Sequence, residues 1–319
     1  MRSRYLLADQ VGAGGMGTVW RAWDRHERRW VAAKLLARYD APAAFERFVR
    51  EQGLRVRHRH VLQPTDCVVH RTLGGRSRSL FTMELVRGGS LEQLLARHGP
   101  LPDPYVRVVL EQTLEALVAV HAAGVVHRDV KPGNLLLEPT GTGRPWVRLG
   151  DFGIAVTPGD RRLTRVPGGV GTGAYLAPEQ VAGAAPDPSQ DLYAAGVVAI
   201  ELLTGRPSHE SAARRPDWPP DWPPDWPFGR LLARLTAPDP AGRPQTAAEA
   251  LDELRTLGVP TGAPWQVEPC PPDVVDVYGD RRPPVRARRP WGSAYVWAVP
   301  AVFAGSGLAG SAATWLVLR

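Results

Sequence analysis

The stretch VVHRDVKPGNLLL, Val125 to Leu137, places His127, Arg128, Asp129, Lys131 and Asn134 within eight residues, just before a run of leucines. A polar cluster of this kind is either a solvated surface loop or the working part of an enzyme. Taken alone it fits both. The decision rests on whether the rest of the chain supplies the other parts such a loop would need.

One such part lies near the N-terminus, where Gly12, Gly14, Gly15 and Gly17 alternate with small residues and precede Val19. A lone glycine pattern of this type is weak. A dinucleotide fold would set it between a strand and a helix. Here it is followed by the β-like TVWRAWD and then WVAAKLL. A glycine-rich hairpin between two strands lets backbone amides lie close over phosphates, because no Cβ intervenes. Lys34 lies on the second of those strands. A lysine in an apolar strand needs an anion, since burying it unpaired is costly. Phosphate oxygens and a carboxylate could both serve, and Glu51, in the helical FERFVREQ, is the natural carboxylate.

Downstream, LGDFGIA sets Asp151 after a short apolar strand. Asp151 and Asn134 are oxygen ligands suited to Mg²⁺, a hard cation that also binds substrate phosphates. Asp129 is then placed to orient an attacking hydroxyl and accept its proton. Lys131 is placed to neutralise charge on a transferred phosphoryl group. Phosphoryl transfer needs mainly positioning and charge stabilisation, and these residue types supply both.

With these parts assembled, the chain resembles a bacterial serine/threonine protein kinase of the eukaryotic type. The motifs are GAGGMGTV, AAK, Glu51, MELV, HRDVKPGN, DFG, GTGAYLAPE, DLYAAGVV and the Arg243 of GRP, in family order between Gly12 and Pro244. Several are weak singly; together and in order they are specific. The resemblance implies an α+β, bilobal protein-kinase fold with a β-rich N-lobe and a helical C-lobe. It implies ATP with Mg²⁺, or Mn²⁺ in its place, and protein substrates bearing Ser or Thr. It makes Met83 a gatekeeper and gives the hinge backbone of Glu84 and Val86 to adenine. Val19, Ala32 and Leu136 would sandwich the ring. Glu179 would pair with Arg243, and Asp191 would anchor the catalytic loop from below. Lys131, two residues after the base, and Thr172 match the serine/threonine pattern rather than the tyrosine one.

The resemblance also suggests a switch. Arg128 would help bind a phosphate on the activation loop, which runs from Asp151 to Glu179. The candidates there are Thr157 and Thr164, the latter eight residues before Thr172. A second site common in relatives falls at Val166. Three departures stand out. Arg55 lies where an apolar side chain is usual, with Gly53 weakening the same helix. Arg87 stands where an acidic residue near the ribose is common. The unit PDWP repeats three times between Pro216 and Pro227, with Trp218, Trp222 and Trp226 four residues apart. In a polyproline II conformation that spacing would turn the three rings onto different faces.

Bulk properties bound the rest. The chain has 319 residues, formal net charge +7 and only two cysteines, Cys67 and Cys270, without metal-ligand spacing. These predict free thiols. The positive charge is almost all Arg, no nucleic-acid motif accompanies it, and no nucleic-acid partner is expected. The N-terminus has no apolar stretch of signal-peptide length. Helical periodicity marks Tyr105–Gly124, Asp191–Gly205 and Gln245–Gly258, with Thr246 as a cap.

The kinase-like region is therefore assigned to 1–257, with the N-lobe to about 86 and the C-lobe from 87. Residues 258–290, rich in Pro and Gly, read as a linker. Residues 291–319 contain the uncharged Ser293–Leu318. As a helix this would span about 39 Å, against a hydrocarbon core of about 30 Å. It is expected to cross the membrane once, with the arginine-rich side and the kinase in the cytoplasm. Ser306 and Gly310 add a small-xxx-small pair, so self-association through this helix or the kinase domain is a further expectation. With the chain ending at Arg319, control by clustering, partners or cytoplasmic cues is expected over an external ligand. The competing reading is a pseudokinase scaffold that binds nucleotide and partners without turnover.

Overall fold

The structure, a computed structural model, describes residues 4–14, 17–36, 56–71, 77–151, 172–206, 222–223 and 225–279. Glu51, Gly53, Arg55, Gly15, Thr157, Thr164 and the expected membrane helix lie outside the described residues. Among the described residues no helix is long and apolar enough to cross a membrane.

The N-terminal part is one antiparallel sheet of five strands: β1 (Tyr5–Gly14), β2 (Gly17–Asp24), β3 (Arg29–Leu36), β4 (Pro64–Arg71) and β5 (Ser77–Glu84), in spatial order β1-β2-β3-β5-β4. Period-2 alternation sorts its faces. Val31, Ala33 and Leu35 of β3 join Tyr5, Leu7, Ala22, Val68 and Leu80 in a small core. Ala32 and Lys34 therefore lie on the other face. Directly opposed residues of an antiparallel pair share a face. The register pairs Val19 with Lys34, Arg21 with Ala32, and Ala32 with Met83. Val19, Arg21, Ala32, Lys34 and Met83 thus sit on one side of the sheet.

The C-terminal part is helical. Helix α1 (Leu91–His98) starts at Ser90, whose hydroxyl accepts from the Gln93 N–H while Gln93 Oε1 accepts from the Ser90 N–H, a capping box. Helix α4 (Pro188–Thr204) is buried on nearly every side, and helix α2 (Asp103–Ala122) packs beside it with the stripe Arg107, Glu111 and Glu115 turned outward; the two form the centre of the lobe. Between them come the short strands β6 (Leu135–Leu137) and β7 (Val147–Leu149) and the short helix α3 (Pro178–Val181). Helix α5 (Pro227–Leu235) buries Phe228, Leu231, Leu232 and Leu235, one stripe at three and four spacing. Helix α6 (Ala247–Thr256) starts where Thr246 accepts from the Glu249 N–H at 3.1 Å. The three periodic stretches of the sequence are thus helices, and both cysteines are free thiols.

Two expectations need correction. The stretch from 258 does not behave as a linker as far as residue 279: it packs back onto the helical lobe. Trp265, 1% exposed, stacks edge-on against Tyr105 with centroids 5.0 Å apart, and its Nε1 donates to the Thr142 carbonyl. Val274 is equally buried and exchanges two backbone hydrogen bonds with Gly141. Single large side chains inserted into gaps do this without any periodicity. The second correction concerns the tryptophans. The Trp226 N–H donates to the Pro223 carbonyl, a turn rather than polyproline II, and brings Trp222 to 4.9 Å from Trp226. Both rings pack against the core cluster, and Trp226 lies so close over Gly229 that a Cβ there would meet it at 2.6 Å. Trp218 lies outside the described residues.

Candidate active site

The polar loop between α2 and β6 is held from below. Asp191, in the first turn of α4 and 1% exposed, accepts the backbone N–H of His127 at 2.8 Å and of Arg128 at 2.7 Å; His121 Nε2 lies 2.8 Å from the same carboxylate. Aiming two successive amides at one carboxylate bends the backbone, and Arg128 has a left-handed φ of 66°. For a non-glycine residue such a conformation costs on the order of 1–3 kcal/mol and persists only where its surroundings impose it. The buried Asp191 imposes it here.

Above that bend, Asp129 presents its carboxylate to two donors. Lys131 Nζ lies at 3.0 and 2.9 Å from its two oxygens, and Asn134 Nδ2 donates to Oδ2 at 2.8 Å and to the Asp129 carbonyl at 2.7 Å. Asn134 owes its position to the 3-10 turn Pro132–Asn134 and to its own carbonyl, which accepts the Gly150 N–H at 2.9 Å. His127, fully buried, spans the two segments: its Nδ1 accepts the Asp129 N–H at 3.3 Å and its Nε2 lies 3.2 Å from the Gly150 carbonyl. Those contacts assign the neutral ring with the proton on Nε2. Burial pushes its pKa down, against the opposing pull of Asp191, Asp129 and Asp151.

The β6–β7 hairpin brings the second acid in. Gln112 donates to the Pro145 carbonyl and accepts the Val147 N–H, and the His60 carbonyl accepts the Leu149 N–H. Asp151 follows directly, again with a left-handed φ of 54°. Its carboxylate forms an ion pair with Lys34 of β3, whose side chain is 12% exposed. One ammonium thus joins the sheet to the helical part across the cleft.

The apolar walls follow from strand alternation. Ala32 is 8% exposed, while Val19 and Met83 on the same face are half-buried. On the opposite side Leu135 and Leu137 point into the core at 0% exposure, so Leu136, half-buried between them, faces away from that core. Val86 is buried, and Glu84 is exposed and accepts from Arg148 at 2.9 Å. Gly17 has φ 147°, a conformation that favours glycine, and a Cβ on Gly12 would lie 3.8 Å from Val19. Gly14 ends β1 opposite Gly17.

The structure therefore brings Lys34, Asp129, Lys131, Asn134 and Asp151 into one cleft, and it sets Glu179 on Arg243, two hydrogen bonds of 2.7 and 2.9 Å with Arg243 buried. Arg128 is half-buried and its Nε has no partner among the described residues; burial lowers its pKa, opposed by Asp191. The sequence reading missed the part that residues 274–279 play at Arg87: the Arg87 guanidinium lies 2.6 Å from Asp276. No periodic signal in the proline-rich stretch marked it.

A five-stranded sheet over a helical lobe, with a lysine from the first and two acids and an asparagine from the second meeting in the cleft between, defines a bilobal phosphotransferase fold. The protein kinase domain family matches residues 5–218, and the chain belongs to that family. It is 40% identical over 205 residues to the serine/threonine-protein kinase PknL of Mycobacterium bovis, covering 64% of this chain and 50% of that protein. It is 39% identical over 213 residues to PknA of Mycobacterium tuberculosis (65% and 48%), and 39% over 220 residues to PkaA of Streptomyces coelicolor (64% and 39%). The chain thus spans about half the length, or less, of these relatives.

Proposed function

We propose that this chain transfers the γ-phosphoryl group of ATP to Ser or Thr hydroxyls of proteins in bacterial signalling. The observation that carries the proposal is the Asp129 carboxylate, held by Lys131 and Asn134 in the same cleft as the Lys34–Asp151 pair. Asp129 orients the attacking hydroxyl and accepts its proton. The hydroxyl oxygen bonds to the γ-phosphorus as the bond to the bridging oxygen breaks, and ADP leaves. Lys131 offsets charge on the moving group, and Lys34 is the cation available to the nucleotide phosphates, with Glu51 as its partner by family resemblance.

The donor set fits a divalent ion. Among the described residues no group of three or more His, Cys, Asp or Glu side chains is placed to hold a metal ion by itself, and Asn134 with Asp151 offers two hard oxygens. That suits Mg²⁺, which keeps waters and phosphate oxygens in its shell. When bound, Mg²⁺ supplies charge neutralisation at the phosphates. Val19, Ala32, Met83 and Leu136 form the apolar walls for adenine, with Glu84 and Val86 supplying hinge backbone, and the glycines from Gly12 to Gly17 cover the phosphates.

The reading extends to regulation and location. Thr164, or Thr157, is the autophosphorylation site, and the half-buried Arg128 receives its phosphate. Ser293–Leu318 anchors the chain in the cell membrane with the kinase domain in the cytoplasm, and membrane fractionation with and without that segment tests this. For the activity, the full chain in detergent with Mg²⁺ and labelled ATP is compared with Asp129→Asn. Loss of a general base costs on the order of 10²–10⁴-fold, so label on Thr164 or Thr157 should vanish in the variant. Nucleotide binding with no transfer in the unsubstituted chain would favour the scaffold instead.

A further inference from the structure

The C-terminal segment does more than fill a gap on the helical lobe. From Val274 it runs along the hinge between the two lobes. Gly88 marks the closest approach: a Cβ there would lie 2.4 Å from the Leu137 carbonyl oxygen and 2.5 Å from Val274 Cγ1. The Val277 N–H donates to the Arg87 carbonyl at 2.9 Å, while the Arg87 guanidinium meets Asp276 at 2.6 Å. One hinge residue is therefore gripped through both its backbone and its side chain. The grip is itself braced, because Asp276 accepts the N–H groups of Tyr278 at 2.9 Å and Gly279 at 3.0 Å.

The segment then crosses to the sheet. The Arg21 guanidinium lies over the Tyr278 ring at 5.7 Å and over the Trp30 ring at 4.4 Å, and its Nη1 donates to the Tyr278 carbonyl at 3.5 Å. Arg21 also pairs with Asp9 and is 3% exposed. Arg21 is the cross-strand neighbour of Ala32 and lies two residues along β2 from Val19. Both are roof residues of the cleft. Tyr278 thus touches the sheet on its cleft-facing side, beside the roof, while Asp276 holds the hinge.

We propose that Val274–Gly279 is a built-in part of the nucleotide cleft, in which Asp276 and Tyr278 are positioning residues. Asp276 fixes the hinge through Arg87, and Tyr278 fixes the roof through Arg21. This rests on reading the cleft as an ATP site. It also accounts for Arg87, a basic residue where an acidic one was expected: its charge is matched by Asp276. The lobes are tied at their pivot by Val274–Gly279.

The test uses the full chain in detergent, with Asp276→Arg, Arg87→Asp, the double exchange, Tyr278→Ala and Tyr278→Phe. Three quantities are read: the ATP KM against kcat, the peptide KM, and the Kd for a trinitrophenyl-ATP probe. The expected result is a rise of about three- to tenfold in ATP KM and probe Kd for Asp276→Arg, Arg87→Asp and Tyr278→Ala, with peptide KM unchanged. The double exchange should recover the part of the loss that the Arg87–Asp276 pair carries, leaving the part due to the Tyr278 and Gly279 N–H groups that an arginine cannot accept, and Tyr278→Phe, which keeps the ring and the carbonyl, should stay near the unsubstituted chain. Equal ATP KM and probe Kd in all folded variants would overturn the proposal. So would a uniform fall in kcat and melting temperature without recovery in the double exchange, which marks a merely structural tie. If the unsubstituted chain binds the probe but transfers nothing, the kinase reading fails while the probe Kd still decides this one. If it does not bind the probe, both fail.

Discussion

A single buried imidazole sets how the Val125–Leu137 loop responds to acid. His127 accepts the Asp129 N–H on Nδ1, so a second proton can enter only by breaking that contact. Burial holds its pKa below the ordinary imidazole value of about 6.5. As pH falls below that value, the unfolded chain takes up a proton that the folded chain refuses. The unfolded state then binds more protons, and stability drops with pH by up to about 1.4 kcal/mol per unit for one such group. The stabilisation is complete above the unfolded value and is lost on the acid side of it. His60 and His58, also lowered by burial, act in the same direction. Melting temperature should therefore fall between pH 7 and pH 5, and His127→Gln should flatten that slope without removing it. An unchanged slope would mean that the folded ring takes up its proton as readily as the unfolded one, so that burial does not hold it neutral. His127, Asp129, Lys131 and Asn134 were legible in the sequence because they are neighbours in it. Asp191, sixty-odd residues away, was legible only through family resemblance, since nothing local in DLYAAGVV says which backbone amides it meets.

At the scale of elements, helix α4 owes the close approach of α5 to a glycine. Gly196, midway along α4, faces the end of α5: a Cβ there would lie 2.8 Å from Leu235 Cβ and 2.8 Å from Thr236 Cγ2. Alanine has the better helix propensity by about 1 kcal/mol. Overpacking a core that is already filled costs about 1–3 kcal/mol. The contacting atoms are close to their own backbone and cannot swing away, so overpacking should win. Gly196→Ala should lower the melting temperature, and a rise would show that α5 can slide outward. Helices with continuous three-and-four periodicity were readable at this scale, and so was the cap at Thr246. The turn at Pro223–Trp226 was not. Repeated prolines suggested an extended spiral, whereas the edge-on packing of Trp222, Trp226 and Phe228 onto the lobe outweighs local backbone preference. Aromatic burial of this size contributes more than a few turn residues can oppose.

For the whole molecule, the question is where the folded unit ends. Periodicity stops with α6, and composition puts a boundary at 257. Packing carries on to 279. Trp265 and Val274 stand nine residues apart among prolines and glycines, so neither raises a periodic signal, yet each is 1% exposed. Their burial depends on Tyr105, Thr142, Gly141 and Gly88, which lie over a hundred residues earlier in the chain and could not be matched to them from sequence. Losing a buried Trp alone costs about 3–5 kcal/mol. A chain ending at Leu257 also leaves Tyr105 uncovered and breaks the two backbone hydrogen bonds between Gly141 and Val274. For a domain of this size each kcal/mol moves the midpoint by about 2–4 °C. Residues 1–257 should therefore melt on the order of 10 °C below residues 1–279 in the same buffer. The longer version should also bind nucleotide more tightly, because it alone retains Asp276 and Tyr278. Equal melting temperatures would place the fold's true edge at the end of α6 and reduce the segment to a surface passenger. A large difference in melting with equal nucleotide affinity would keep it as part of the C-lobe core but detach it from the cleft.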